Sequence, residues 1–461
     1  MTELIKKKIN DSAAARWSVV LLVSFTMMSG YFLTDVMAPL KTMLEQTLGW
    51  DSQEYGFFTS GYGWLNIFAF MLIVSGIVLD KFGIRFTGTT ATCVMIVGTS
   101  IKYWAISTTF ENPVIDIFGW ELNRQVLFAA CGYAIFGVGV EAIGITASKI
   151  IVKWFKGKEL ALALGMNVAF GRIGTLLALA VSPIIAEKMG HPSKPILLCL
   201  VLLCIGLLSF VVFCASDRKL DKQLGDEAKV DKEDFRIRDI LDIVKIKAFW
   251  YIAFLCLTFY SAVFPFLKYA TELMVIKFHL DPSIAGLIPS ILPMGTLFLT
   301  PLFGSIYDRK GKGATIMIIG SCMLIVVHAL FAVSFFNWWV IAAILMCTLG
   351  IAFSLVPSAM WPSVAKIIDQ KKLGTAYALI FYVQNWGLSG VPLLIGYVLK
   401  NYCITGTTMI NSVETTTYDY TLPMLIFMSF GVIGLLFALL LKREDKIKGY
   451  GLQLPNIKKS L

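Results

Sequence analysis

Two ionisable residues lie in the middle of long apolar segments, where a charge is costly. Glu141 lies in FGVGVEAIGITAS and Arg172 in MNVAFGRIGTLL. A charged side chain in such a segment marks a solute pathway or an ion pair, because a guanidinium away from water needs a carboxylate or an anionic ligand. In one cavity, Glu141 would bind the ammonium of a zwitterion and Arg172 its carboxylate, the latter through two hydrogen bonds. A structural salt bridge between the two is the alternative.

Other charged residues in apolar segments are candidates for proton coupling. Asp35 could carry a proton, or it could simply pair with Lys41 at the mouth of a pathway. Lys268 and Glu272 stand four residues apart, so on a helix they can neutralise each other, alter selectivity or add coupling. The sequence therefore offers Asp35, Glu272 and Glu141 as possible proton carriers.

The second half of the chain offers neutral polar and aromatic groups instead of charges. They suit the variable part of a solute, although aromatic residues at helical spacing are often packing residues: Trp361, Tyr382, Gln384, Asn385 and Trp386. The nine cysteines are scattered, only three histidines are present, and no CxxC pattern occurs. We therefore expect no disulfide framework, no metal and no cofactor.

The composition predicts an all-α membrane protein. Hydrophobic residues make up 57% of the 461 residues and charged residues 15%, with a mean hydropathy of +0.75. Apolar runs such as 17–33 and 195–215 are long enough to cross a bilayer. Continuous runs favour helices, whereas a barrel would alternate polar and apolar residues. The net charge of +10 falls in loops and tails, which excludes a nucleic-acid-binding surface.

The basic residues indicate the topology. They are concentrated in every other loop, at both termini and in a charged central stretch, which predicts that these segments are cytoplasmic and that the number of spans is even. No cleavable signal and no N-x-[ST] sequon in an outer loop are present, which favours a bacterial inner membrane. The predicted units are a 1–16 cytoplasmic N-terminus, a 17–215 six-helix bundle, a 216–245 linker, a 246–441 six-helix bundle and a 442–461 tail.

A loop motif occurs once in each half. The pattern G-x-x-x-D-[RK] follows the second predicted span and again the eighth, which indicates two related halves. Its members and basic neighbours are Gly76, Asp80, Lys81, Gly83 and Arg85 in the first half, and Gly304, Asp308 and Arg309 in the second.

Twelve predicted spans, a central linker and the doubled motif resemble the major facilitator superfamily. The resemblance implies two pseudo-symmetric six-helix bundles that pivot about a midplane site in a rocker-switch, alternating-access cycle. It also implies that Asp80, Arg85 and Asp308 hold the cytoplasmic face closed. The alternative is that these residues only set the topology and turn the chain.

Several blocks resemble one branch of that superfamily, the lysosomal dipeptide transporters. They are WFKGKEL at 154–160, Arg172-Ile-Gly174, LGTAY at 373–377 and Gln384-Asn385. The resemblance implies that Glu141 and Arg172 contact the termini of a dipeptide. It allows an accessory subunit, although nothing in the sequence requires one. Lys268 and Glu272 depart from the branch.

Three classes of function follow. The first is a uniporter or proton symporter of dipeptides or similar zwitterions. The second is a proton-coupled transporter of organic anions, with Arg172 as the anion site and Glu141 as the proton site. The third is a polytopic receptor or enzyme, which is disfavoured because the chain has no GxxxxGK[ST] motif and no catalytic triad pattern.

Overall fold

A computed structural model describes residues 8–117, 120–155, 158–224, 237–369, 372–410 and 413–456. Helices dominate it, and two short antiparallel hairpins interrupt them. The helices are α1 Ala13–Asp35, α2 Lys41–Leu48, α3 Ser52–Ser60, α4 Trp64–Phe68, α5 Met71–Ser107, α6 Arg124–Phe155, α7 Leu160–Lys188, α8 Lys194–Leu224, α9 Ile237–Val244, α10 Lys247–Ser261, α11 Phe264–Ile276, α12 Pro282–Ala285, α13 Leu287–Lys310, α14 Gly313–Ala332, α15 Trp339–Ile367, α16 Leu373–Tyr402 and α17 Thr421–Lys448.

The described helices account for twelve spans when α5 is divided at Gly83. Ten described helical segments are long and apolar enough to cross a membrane, and the stretch from Ser52 to Ser107 adds a bent pair. Gly83 has φ 81° and breaks α5, so that α3, α4 and the start of α5 form one span and the rest of α5 forms the next. A positive φ favours glycine at this position. The predicted all-α membrane fold is confirmed.

Each half is a six-helix bundle. In the first half α1 packs against α7 and α8, and α5 against α6; in the second, α14 packs against α15 and α17, and α13 against α15. Two seams join the halves, one between α3 and α16 and the other between α7 and α13. A cavity between the bundles is therefore flanked by helix pairs from opposite halves.

The two ends of the bundle differ. The end that carries Ile9–Asp11, the Gly83 break, α9 and Gly449 is called the terminal face. The other end, called the hairpin face, carries the hairpin of β1 Val114–Ile117 and β2 Trp120–Asn123 and that of β3 Ile404–Ile410 and β4 Val413–Tyr418. Neither hairpin was predicted from the sequence.

The predicted linker coincides only partly with a described feature. Helix α8 continues to Leu224 and α9 covers Ile237–Val244, so both extend into the predicted 216–245 segment. Positions 225–236 of the linker, 1–7 of the N-terminus and 457–461 of the tail lie outside the described residues. The predicted domain boundaries stay a prediction.

Candidate transport site

A large cavity runs from the terminal face to the middle of the bundle. Its volume is about 1720 Å³. Near the terminal face it is lined by the loop-motif residues Asp80 and Arg85, and at its inner end by Glu141 and Arg172. From the sequence we expected Glu141 and Arg172 in one cavity, and in the structure both line this cavity.

Glu141 is held by a tyrosine that the sequence analysis did not single out. The Tyr62 hydroxyl donates a hydrogen bond of 2.7 Å to Glu141 Oε1. Glu141 forms no ion pair among the described residues, so the alternative of a structural salt bridge with Arg172 is not found in this conformation. Tyr62 stands between two glycines, Gly61 and Gly63, in a short 3-10 turn, and this Gly-Tyr-Gly pattern is a signal that could have identified it.

Arg172 faces aromatic rings of the other half. Its guanidinium carbon lies 5.1 Å from the ring centre of Phe353 and 5.7 Å from that of Phe264. These cation–π contacts stabilise the guanidinium, which has no carboxylate partner among the described residues. Its hydrogen-bond donors therefore remain available to an anionic group in the cavity.

Trp361 lines the second-half wall of the cavity, as the sequence suggested. Its indole N–H donates to the Tyr260 hydroxyl at 3.2 Å, and its ring lies 4.9 Å from that of Phe381. Tyr377 donates to the Trp361 carbonyl at 3.2 Å. This half contributes an aromatic wall with few charges.

The other four predicted residues of that wall do not line the cavity in this conformation. Tyr382 stacks on Phe70 at 5.4 Å and Trp386 meets Phe68 at 6.2 Å, both along the seam between the halves. Two are buried: Gln384, which accepts a hydrogen bond from Cys256, and Asn385, which donates to a backbone carbonyl. Contact of these four side chains with a solute stays a prediction.

Three ion pairs between the halves close the hairpin face, and together they are called the hairpin-face seal. The pairs are Lys268–Asp35 at 2.7 Å, Lys41–Glu272 at 2.7 Å and Lys400–Asp51 at 2.6 Å. The Lys41–Glu272 pair is buried and the Lys268–Asp35 pair is largely so, whereas the side chains of Lys400 and Asp51 are 43% and 35% exposed. Among the described residues, no ion pair on the terminal face joins the halves, so the cavity is accessible from that face.

The pairing in the seal differs from the one that the sequence suggested. Asp35 pairs with Lys268 instead of Lys41, and Glu272 pairs with Lys41 instead of Lys268. Helical spacing and chain proximity favoured local pairs, but the facing surfaces of the two halves supply closer partners. Proton coupling through Asp35, Glu272 or Glu141 stays a prediction.

Backbone packing completes the closure. A Cβ on Gly56 of α3 would lie 2.6 Å from the Pro392 carbonyl of α16, so only glycine allows these helices to approach so closely. The second hairpin covers the seal from outside, since Gln46 donates to Thr415 at 2.6 Å and the Thr416 amide donates to Glu45.

The first-half loop motif forms contacts within its own half. Asp80 pairs with Lys149 at 2.6 Å, while Arg85 pairs with Asp217 and Asp221 of α8. Gly83 forms the break in α5, Gly76 has open space around it and Lys81 is exposed. The predicted role in closing the terminal face stays a prediction for the opposite conformation.

The second-half motif instead holds the C-terminal segment. Asn456 donates its side-chain amide to Asp308 at 2.7 Å and its backbone N–H to the Asp308 carbonyl at 3.0 Å. Lys366 donates to the carbonyls of Gly451 and Leu454. Gly304 has open space around it and Arg309 is exposed. The two copies of the motif therefore have different partners.

Charge contacts at the terminal face shift the acid–base behaviour of nearby groups outside the spans. The hydrogen bond that Lys158 donates lowers the pKa of Asp11, and the hydrogen bond that Lys372 donates to the Asp242 carboxylate raises the pKa of Lys372. The pKa of Glu159 is lowered by its own backbone N–H and by Arg16. These pairs fix the N-terminal segment and α9 within their respective halves.

The described residues contain no group of three His, Cys, Asp or Glu side chains placed to hold a metal ion. Two six-helix halves around a cavity with charged groups are typical of a polytopic membrane transporter. The sequence model of the Major Facilitator Superfamily matches residues 20–392. The chain belongs to this superfamily and is a secondary transporter.

Similar proteins include lysosomal dipeptide transporters. The chain is 29% identical over 398 residues to the lysosomal dipeptide transporter MFSD1 of Mus musculus, covering 84% of this chain and 81% of that protein. Identity to the Homo sapiens protein is 26% over the same length and coverage.

Solved structures show the same fold. The xylose transporter XylE from E. coli, in an inward-open conformation, matches with a TM-score of 0.69 at 15% identity, covering 96% of this chain and 98% of that one. A bacterial homologue of the human lysosomal transporter Spinster, inward-facing and unoccupied, matches with a TM-score of 0.68 at 13% identity, covering 98% and 100%.

Proposed function

We propose that this protein moves small zwitterionic solutes, and dipeptides in particular, across a membrane by alternating access. The observation that carries the proposal is that Glu141 and Arg172 lie in one cavity of a transporter fold and that neither has an ion-pair partner among the described residues. A dipeptide presents an ammonium and a carboxylate at its two ends. Glu141 binds the ammonium and Arg172 binds the carboxylate, while the side chains of the dipeptide contact the aromatic wall around Trp361 and Phe381.

The protein works as a rocker switch, as a uniporter or a proton symporter. In the conformation described, the hairpin-face seal joins the halves and the cavity reaches the terminal face. Transport requires the three ion pairs of the seal to separate while the halves meet at the terminal face, where Asp80, Arg85 and Asp308 then close the cavity. The similarity to lysosomal dipeptide transporters supports the substrate class.

The terminal face lies in the cytoplasm in this proposal. It carries the basic termini and the basic loops, as the positive-inside rule requires. The membrane is a bacterial inner membrane, which agrees with the lack of sequons in the outer loops. The cavity described then opens inward.

Thermal unfolding of the purified protein tests the substrate class. A solute that binds only the folded state raises the midpoint temperature of unfolding. At a concentration about a hundred times its Kd, it adds about 2.7 kcal/mol to the free energy of unfolding. Dialanine should stabilise the protein, and alanine and succinate should do so less. Glu141→Gln and Arg172→Ala should abolish the effect while remaining folded.

The same panel distinguishes the second candidate function. Stabilisation by succinate, lost in Arg172→Ala, with no response to dialanine would contradict dipeptide binding. That result would favour an organic-anion transporter with Glu141 as its proton site. Uptake into liposomes with and without a proton gradient then separates uniport from symport.

A further inference from the structure

Tyr62 occupies a position between the solute site and the hairpin-face seal. Its hydroxyl is bonded to Glu141 at 2.7 Å, and its ring lies 5.5 Å from that of Tyr133. Tyr133 donates a hydrogen bond of 2.6 Å to the carbonyl of Thr34. The same carbonyl accepts a hydrogen bond of 2.6 Å from Lys268, which is part of the seal. Four contacts thus connect the Glu141 carboxylate with Lys268, a seal residue of the other half.

The backbone around Tyr62 makes a second connection. Its 3-10 turn, Gly61–Gly63, directly continues α3, the helix that carries the seal residue Asp51 at its start. From this helix Tyr55 donates to the Lys268 carbonyl at 2.8 Å.

The turn is also fixed on both sides. A Cβ on Gly61 would lie 2.7 Å from the Ala130 carbonyl of its own half, and one on Gly63 would collide with the Ser389 hydroxyl of the other half. The turn that joins Tyr62 to α3 therefore has little free space.

We infer that Tyr62 is a positioning residue that couples the state of the Glu141 carboxylate to the hairpin-face seal. This inference rests on the proposed function, since it assigns the solute ammonium as the group that competes with Tyr62 for Glu141. When the ammonium takes over the carboxylate oxygen, Tyr62 is released. Its ring and its turn then move relative to Tyr133 and α3, which weakens the contacts at Lys268 and favours opening of the hairpin face.

A mutational cycle on the solute-free protein tests the coupling. Spin labels on encoded keto amino acids at positions 107 and 335, which lie on opposite halves near the hairpin face, report the sealed and opened populations. This labelling leaves the native cysteines in place. Glu141→Gln weakens the Tyr62 hydrogen bond and should change the population ratio by about threefold or more. In a Tyr62→Phe background the same substitution should change nothing further, because the connection is already lost.

Equal shifts caused by Glu141→Gln in both backgrounds, or no shift in either, would overturn the inference. Tyr103→Phe is the matched control, because Tyr103 is a tyrosine of α5 outside the cavity lining and the seal, and it should behave like the natural protein. Detergent-purified variants with unchanged melting midpoints exclude misfolding as the cause.

Dialanine tests whether binding of a solute opens the hairpin face through Tyr62. Saturating dialanine should increase the opened population in the natural protein and in Tyr103→Phe. In Tyr62→Phe it should bind with a Kd within about tenfold of the natural value, yet cause little opening and slow transport at saturation. A Tyr62→Phe variant that loses only affinity, with full opening and transport at saturation, would overturn the inference. If dialanine binds neither to the natural protein nor to any variant, the proposed function fails. The mutational cycle on the solute-free protein then decides the role of Tyr62.

Discussion

Breaking the buried ion pair between Lys41 and Glu272 should shift the protein toward the state that is open at the hairpin face. Lys41 lies at the start of α2 in the first half and Glu272 in α11 of the second. Both side chains are at most 2% exposed, and Ser52 and Tyr420 complete their hydrogen bonding. Neutralising one partner leaves the other charge buried without a counter-ion.

The magnitude follows from burial. Removing one member of a buried ion pair costs about 3–5 kcal/mol, most of which is the desolvation of the remaining charge. When the halves separate at this face, water reaches that charge and the cost largely disappears. The sealed state of Glu272→Gln or Lys41→Met therefore loses about 3 kcal/mol relative to the opened state, which changes the population ratio about a hundredfold.

Distance measurements between labels at positions 107 and 335 check this prediction. Lys400→Gln is the matched control, because its pair with Asp51 joins the same two halves at the same face but is exposed. An exposed pair contributes about 0–1 kcal/mol, so the control should shift the ratio by about fivefold or less. The double variant Lys41→Met/Glu272→Leu should recover much of the sealed population. Equal shifts for buried and exposed pairs, or a double variant as open as the singles, would refute the argument from desolvation.

Three further predictions concern the site, the seam and the tail. Arg172→Lys should weaken dialanine binding about tenfold or more in calorimetry, because an ammonium cannot form the bidentate contact of a guanidinium; unchanged affinity would contradict the assignment. Gly56→Val should increase the opened population in the label assay, because a Cβ at position 56 would lie 2.6 Å from the Pro392 carbonyl oxygen. A variant that stays sealed would show that the seam can rearrange to accommodate the side chain. Asn456→Ala should release the tail from Asp308 and raise cleavage of the tail in limited proteolysis, whereas an unchanged cleavage rate would show that these bonds do not hold it.

The fold was predictable because its strongest signals are local. Apolar runs of span length and alternating basic loops follow directly from the bilayer as a solvent, and the repeated loop motif indicates two related halves. The charged residues Glu141 and Arg172 were identifiable for the same reason, since a charge in an apolar segment is costly wherever its partners lie.

The partners of those charges were not predictable, because they depend on which surfaces face each other. Lys268 and Glu272 are neighbours on one helix, yet each pairs with the opposite half. Tyr62 was missed because a tyrosine in an apolar segment has many ordinary packing roles. The aromatic positions of α16 were expected in the cavity, but in this conformation Tyr382 and Trp386 lie at the seam, since helical spacing does not fix the rotation of a helix.

Counterflow of labelled dialanine in liposomes tests whether a dipeptide crosses the membrane between Glu141 and Arg172. Liposomes loaded with unlabelled dialanine should accumulate the label through the natural protein. They should not do so through Glu141→Gln or Arg172→Ala, both reconstituted at equal amounts and with unchanged melting midpoints. Accumulation that persists in both variants, or that is absent for dialanine in the natural protein, would contradict the account.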